Sequence, residues 1–421
     1  MDHFEIRDGV MHAEDVSLEA LAAKVGTPFY CYSAATIERH YTVFADAVAG
    51  LGQGTPLVAF AVKANPNLSV LATLARLGAG GDVVSGGELA RALAAGIPAD
   101  RIVFSGVGKQ NHELAAGIEA GILQFNVESE AEIDMLGKVA AHYARPVEIS
   151  IRINPAVDPK THGKISTGGA DAKFGIPWNR VPAAFAQAAA HEWLRPIGLA
   201  AHIGSQLFDL GPVEDTIRRL GELARAMTAA GHTIKRIDCG GGLGVPYRPD
   251  QPLPPSPAAY AEMVARVTQG WPWQLMFEPG RMIVGNAGVL VSSVILTKEG
   301  ASKHFIVVDA AMNDLLRPSL YNAWHDFRAV RPRADRRVAT IVGPICETGD
   351  TFAEDRDVEA VGSGDLIAFM TAGAYGATMA STYNSRPLVP EVMVKGAQWS
   401  VVSERNQPAA MLALDALAPW L

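Results

Sequence analysis

Pro56-Leu-Val-Ala-Phe-Ala-Val-Lys63-Ala-Asn65 is a short, almost wholly apolar run that ends on a lysine. A run of this length bounded by a proline and a polar turn reads as a strand buried on both faces, near 57–62. Working outward, similar runs recur at 82–84, 102–104, 122–127, 147–153, 197–202, 234–238 and 274–277. Between them lie Ala/Leu/Glu-rich stretches with helical spacing, such as Gly87-Glu-Leu-Ala-Arg-Ala-Leu-Ala-Ala-Gly96, which closes on a glycine. Eight strand–helix units are enough to close a parallel sheet, so the fold class expected is α/β, a (β/α)8 TIM-like barrel.

Beyond Arg281 the texture changes. Val289–Leu296, Phe305–Val308, Arg337–Val342, Asp357–Val361 and Asp365–Met370 read as strands without long helices between them. The expected organisation is therefore a barrel over 31–285 and a C-terminal β-rich domain over 286–421. The N-terminal segment 1–30, with a strand at Phe4–Ile6 and a helix at Leu18–Val25, packs with that β domain. Three loops are long or biased: Pro155–Lys173, rich in Gly, Thr and Lys and expected to act as a flap; the proline-rich Val245–Pro257; and the basic Arg331–Arg337.

The chain has 421 residues, 49% of them hydrophobic and 19% charged, and a net charge of −8. That balance suits a globular enzyme of two domains and argues against nucleic acid as a partner. Three cysteines, Cys31, Cys239 and Cys346, with no Cys-x-x-Cys, read as reduced thiols, and no metal site is expected. The first residues, Met-Asp-His-Phe-Glu-Ile-Arg-Asp-Gly, are too charged for a signal peptide. No apolar run approaches the roughly 20 residues of a membrane helix. The expectation is a cytoplasmic protein that does not bind membranes.

In a barrel of this kind the chemistry gathers where the strands end. Lys63 follows the first strand; it is either a lysine reaching into water or a partly desolvated amine poised to form a Schiff base. His202, in His202-Ile-Gly-Ser205-Gln, follows the sixth strand, and its ring is either a core histidine or a flat partner for a flat cofactor. Gly240-Gly241-Gly242 follows the seventh, as a tight turn or as a cradle of N–H groups for a phosphate. Glu278-Pro-Gly280-Arg281 follows the eighth, as a turn or as a carboxylate that keeps a pyridine nitrogen protonated beside an anion-gripping arginine. A lysine, a histidine, a glycine nest and a glutamate at one mouth suggest an aldehyde cofactor with a phosphate tail. In the β-rich part, Arg317-Pro-Ser-Leu-Tyr321, Cys346-Glu347-Thr-Gly-Asp350 and Ala372-Gly-Ala-Tyr375-Gly pair reactive groups, although a helical turn, a small buried thiol and an edge aromatic account for them equally.

Val62-Lys63-Ala64-Asn65, Ser85-Gly-Gly-Glu88-Leu and the strand-end motifs above resemble the fold-type III decarboxylases that use pyridoxal 5′-phosphate. Asp309-Ala-Ala-Met-Asn-Asp-Leu-Leu-Arg317-Pro, Cys346-Glu347-Thr-Gly-Asp350 and Ser381-Thr-Tyr-Asn-Ser-Arg-Pro are similar to the branch that acts on meso-diaminopimelate. The resemblance runs along almost the whole chain. It implies that Lys63 joins the cofactor covalently, that Gly240, Gly241, Gly242, Ser205 and the backbone from Glu278 through Gly280 to Arg281 hold its phosphate, and that Glu278 pairs with its ring nitrogen. His202 would stack on the ring, with Asp82 and Tyr375 also among the cofactor-binding residues. Arg281, Arg317 and Tyr321 would bind the substrate's distal carboxylate, with Tyr375 nearby. Cys346 would donate a proton and Glu347 would read the distal amino group. The Cys-Glu loop would come from a second subunit, which implies a homodimer with sites at the interface. A thiol suits proton donation because its ordinary pKa of about 8.5 leaves it protonated at neutral pH.

Sister enzymes acting on ornithine, lysine or arginine take substrates that end in a cation and need no arginine clamp. A racemase on a related barrel would not carry these strand-end motifs. A catalytically dead binding homologue should have lost Lys63 or Cys346, and both are present. A phosphosugar barrel explains the glycines but not the motifs of the β domain.

Overall fold

The computed structural model describes residues 2–158, 167–169 and 172–421. The chain forms two compact units, one of residues 38–245 and 252–283, the other of 1–37, 246–251 and 284–421.

The first unit is a closed parallel barrel. Its strands are β1 (Leu57–Ala61), β2 (Gly80–Val83), β3 (Ile102–Phe104), β4 (Gln124–Val127), β5 (Val147–Asn154), β6 (Leu194–Ala200), β7 (Arg236–Asp238) and β8 (Gln274–Phe277). Each pairs in parallel with its neighbours in chain order, and β8 returns to β1 with Met276 opposite Leu57 and Phe277 opposite Val58. All eight strands foreseen from sequence are present, with ends shifted by up to three residues.

The helices begin abruptly, and the sequence explains why. The helix Gly86–Ala94 is capped by Ser85, whose Oγ accepts from Glu88 N, while Glu88 Oε2 accepts from Val84 N. The same device recurs at Glu130–Tyr143, where Ser129 caps Glu132 N and Glu132 Oε2 accepts from Glu128 N. A Ser-x-x-Glu pair thus satisfies donors on both sides of the helix start, and the chain turns from strand to helix within two or three residues.

The barrel interior is partly polar. Asn126 on β4 donates through Nδ2 to Ser105 Oγ at 3.1 Å and to Asp238 Oδ2 at 3.1 Å, and lies 3.5 Å from Glu278 Oε1. Below it Gln124 Nε2 donates to Ser150 Oγ at 2.9 Å. A Cβ at Gly198 would collide with that same Ser150 hydroxyl, so β6 passes as bare backbone there.

The second unit is a twisted sheet built around the long strand Gly288–Glu299. It pairs antiparallel with Phe29–Ser33, His304–Val308 and Leu366–Phe369. Phe29–Ser33 pairs in parallel with Glu391–Lys395 on its other side, so a strand from the start of the chain lies inside a sheet otherwise made by its end. Phe29, Tyr30 and Cys31 are fully buried there. An all-buried strand belongs in a sheet interior, which is why this unit reaches residue 37 although the sequence suggested a boundary at 31. Pro246–Gln251, inside the proline-rich loop, also belongs to this unit. The segment expected as a flap, Pro155–Lys173, includes 159–166 and 170–171, which lie outside the described residues. Among the described residues no helix is long and apolar enough to cross a membrane.

The N-terminal hairpin, Phe4–Arg7 with Val10–Ala13, is tied into this sheet by one buried carboxylate. Glu14 Oε1 accepts from Ser33 Oγ at 2.8 Å and Ala35 N at 2.9 Å, and Oε2 accepts from Gly396 N at 2.6 Å. Glu14→Ala would strand three donors, an expected loss of about 3 kcal/mol, read as a lowered midpoint for thermal unfolding of this unit; Glu14→Gln should lose less.

Candidate active site

Lys63 lies in a 3₁₀ turn, Val62–Ala64, at the C-terminal end of β1, between two buried apolar residues. The turn directs its Nζ to Asp82 Oδ2 on β2, 2.5 Å away. Asp82 is fully buried. Lys63 is therefore not a surface lysine reaching for water. Its ammonium is paired there, and a carboxylate at this distance favours the charged form.

Asp82, Asp238 and Glu278 are three buried carboxylates on β2, β7 and the end of β8. Burial, reinforced by the charges of Asp238 and Asp82, pushes the Glu278 carboxyl well above its ordinary range, with Lys63 opposing. Asp238 is also raised, mainly by burial, while hydrogen bonds from Glu278, Gly240 N and Asn126 hold it back. Glu278 thus keeps the proton in this pair, and Asp238 the charge. Asp82 Oδ1 is buried with no hydrogen-bond partner among the described residues. A pocket with this much buried negative potential favours a flat cation, and a protonated pyridine ring meets that demand.

The anion end is equally specific. At Gly241 a side chain would strike the Glu278 carbonyl, and at Gly240, with φ +67°, it would strike that of Ala201. At Gly242, with φ +118°, a Cβ would stand 2.5 Å from the Gly204 carbonyl. The trio must be glycine for backbone to approach backbone this closely, and Gly240 N donates to Asp238 Oδ1 at 2.9 Å. Gly241 N donates to His202 Nδ1 at 3.2 Å, so that nitrogen is an acceptor and the ring is neutral. Desolvation, then Arg152 and Lys63, push His202 well below its ordinary pKa. Arg281 reaches Ser205 Oγ through Nε and Nη2, both at 3.2 Å, which places this arginine with the glycine run. Gly280 packs against Ala61 and Ala64, bringing the Glu278–Arg281 turn down onto the lysine's own turn. The residues present fit pyridoxal 5′-phosphate at both its ring nitrogen and its phosphate.

The second unit assembles its own group. Arg317 is buried in the short helix Arg317–Tyr321, whose Ser319 hydroxyl donates to the Gly349 carbonyl at 2.6 Å. That bond ties the helix to the Cys346–Asp350 loop. Asp350, buried, accepts from Met312 N and Ile345 N and so shapes the loop from inside. Cys346 is exposed and its Sγ accepts from Asn384 Nδ2 at 3.2 Å. Glu347 Oε2 accepts from Tyr383 OH at 2.9 Å. Tyr375 sits half-buried in a left-handed turn, φ +54°, followed by Gly376 packed on Tyr30.

Sequence reasoning missed Asp238, although it stands two residues before the glycine run, and Asn126, which betrays itself only by alternating with Gln124 on an otherwise apolar strand. It also passed over Tyr383 and Asn384 as individual side chains, and over His325, which nothing local marks.

Gly241→Ala should weaken pyridoxal 5′-phosphate binding by at least roughly tenfold, because the turn must open to admit the methyl group. Spectrophotometric titration with the cofactor measures it, and unchanged affinity would remove the cradle from the site.

Residues 34–285 match the family model described as pyridoxal-dependent decarboxylase, pyridoxal binding domain. The diaminopimelate decarboxylase of Zymomonas mobilis is 50% identical over 418 residues, 99% of each chain. That of Pseudomonas aeruginosa is 48% identical over the full length of both. Among solved structures, a diaminopimelate decarboxylase of Helicobacter pylori complexed with L-lysine superposes with a TM-score of 0.90 at 39% identity, covering 94% of this chain and 98% of that one. One from M. jannaschii, also with L-lysine, gives 0.94 at 35% identity, covering 100% and 99%. The chain belongs to the pyridoxal-dependent decarboxylases, and within them to the diaminopimelate decarboxylase family.

Proposed function

We propose that the chain removes carbon dioxide from meso-diaminopimelate to leave L-lysine, the last step of lysine biosynthesis, and that it works as a cytoplasmic homodimer. Bound at the barrel mouth, pyridoxal 5′-phosphate supplies an electron sink for the pair released when the Cα–carboxylate bond breaks. The protein's own groups do the rest. Lys63 Nζ would be the amine that carries the cofactor, and Asp82 would hold its ammonium whenever that amine is free. Glu278 would pair with the ring nitrogen, its carboxyl held by Asp238 and Asn126. His202 would stack on the ring. Gly240–Gly242, Ser205 and the backbone from Glu278 to Arg281 would hold the phosphate.

The observation that carries the substrate reading is that the chain holds both a buried cation, Arg317, and an exposed carboxylate, Glu347. An arginine suits a tail ending in carboxylate, and a glutamate one that also bears an amine, so a diamino diacid meets both while ornithine or lysine offers the amine but no carboxylate. Arg317 and Tyr321, with Arg281, take the distal carboxylate. The carboxylate to be lost is left without such a cation, so its departure is not opposed by a salt bridge. Cys346 gives its proton to Cα after the bond breaks. Asn384, donating to Sγ, stabilises the thiolate that remains. The Cys346–Glu347 loop is assigned to the partner subunit's site, on the strength of the family resemblance.

Incubation of purified protein with cofactor and meso-diaminopimelate should yield carbon dioxide and L-lysine in equal amounts, with ornithine and arginine turned over at least about a hundredfold more slowly. Comparable rates on ornithine would replace the substrate. Lys63→Ala should lose the yellow absorbance of the covalently held cofactor, whereas Cys346→Ala should keep that absorbance and lose turnover by roughly a hundredfold or more. Normal turnover in the cysteine variant would take Cys346 out of the reaction.

A further inference from the structure

Arg317 is flanked by a histidine that the reaction as described does not use. Its Nη1 lies 2.7 Å from His325 Nε2. A guanidinium can only donate, so Nε2 is the acceptor and carries no hydrogen. The other ring nitrogen, Nδ1, lies 2.9 Å from the Met370 carbonyl. A carbonyl can only accept, so the proton is on Nδ1. These two neighbours define His325 as neutral and as a single tautomer.

The surroundings leave the ring little freedom. His325 is 2% exposed. Tyr247 meets it edge-on at 5.3 Å, and the face of the same tyrosine carries the Arg317 guanidinium at 4.4 Å. The backbone is held as well: Arg356 donates to the His325 carbonyl while its guanidinium lies on the ring of Trp324.

We propose that His325 is a positioning residue that sets which edge of Arg317 is offered to the substrate's distal carboxylate; this rests on the reading of Arg317 given above. A guanidinium binds a carboxylate through two parallel N–H bonds only when one edge of its plane is aimed at it. Tyr247 lies against the Arg317 guanidinium on one side, and His325 restricts its rotation by taking one N–H. A carboxylate in the histidine's place would orient the arginine too, but would neutralise it and compete with the ligand. The neutral imidazole gives direction and adds no negative charge of its own.

Steady-state kinetics on the cofactor-loaded enzyme tests this. His325→Leu removes the acceptor and should raise KM for meso-diaminopimelate roughly tenfold with kcat within about twofold, because the distal tail is held equally in ground and transition states. His325→Gln, which can accept from Arg317 and donate to Met370 at once, should restore most of the affinity. His325→Asn is too short to span both partners and should resemble the leucine variant, which keeps the test open should the leucine variant fail to fold. Arg317→Gln, measured in parallel, separates the two ideas. If it raises KM and the histidine variants that fold do not, His325 has no positioning role. If Arg317→Gln itself leaves KM unchanged, the reading of Arg317 fails and this inference falls with it. A glutamine variant as impaired as leucine, with normal cofactor absorbance, would also overturn it.

Discussion

The hydrogen bonding of the last barrel strand to the first is the constraint on which the cofactor site depends. Only because Met276 and Phe277 pair with Leu57 and Val58 does the Glu278 turn descend onto the turn that carries Lys63. Closure also removes every free sheet edge from the barrel itself, so the strands can be short, some of three residues, and still hold their register. Short strands in turn bring the polar residues of one level, Asp82, Asn126 and Asp238, into a common layer. Geometry at the mouth is thus set by the whole ring and not by any one loop.

That layer is costly in the absence of a ligand. Three carboxylates out of water repel one another, and the protein meets the problem with a lysine ammonium on Asp82, an asparagine bridging toward Asp238 and Glu278, and a proton kept by Glu278. An unsatisfied oxygen on Asp82 remains. Stored electrostatic potential of this kind is what gives a functional site its affinity for one charge type, because the ligand's cation relieves repulsion that folding has already imposed. The glycine run and Arg281 at the other end favour the opposite charge. A ligand positive at one end and anionic at the other is matched by the two halves of the mouth together.

The β-rich unit follows a different logic. Its reactive groups are each held by a neighbour of complementary hydrogen-bonding type: Arg317 by His325, Cys346 by Asn384, Glu347 by Tyr383. Asp350 supports the loop from beneath by accepting two backbone N–H groups. The part of these supporting side chains is to orient, a task in which small changes of direction matter.

Much of this was legible in the chain alone. Alternating apolar runs and amphipathic stretches specify a parallel barrel because a strand buried on both faces has no polar side to show, and Ser-x-x-Glu pairs mark where its helices start. Lys63, His202, the Gly240 run and Glu278 stood out because each sits where a strand stops, a place the pattern itself locates. The partners of those residues were not legible. Whether Lys63 faced water or a carboxylate and which of Glu278 and Asp238 keeps a proton depend on distances between residues far apart in sequence, and what aims Arg317 depends on how the chain folds back onto it. So does the placement of Phe29–Ser33 inside a sheet formed by the end of the chain. Local pattern determines which elements form, since periodicity and capping act over a few residues; electrostatic pairing falls off with distance in space, and only the closed barrel and the assembled sheet set those distances.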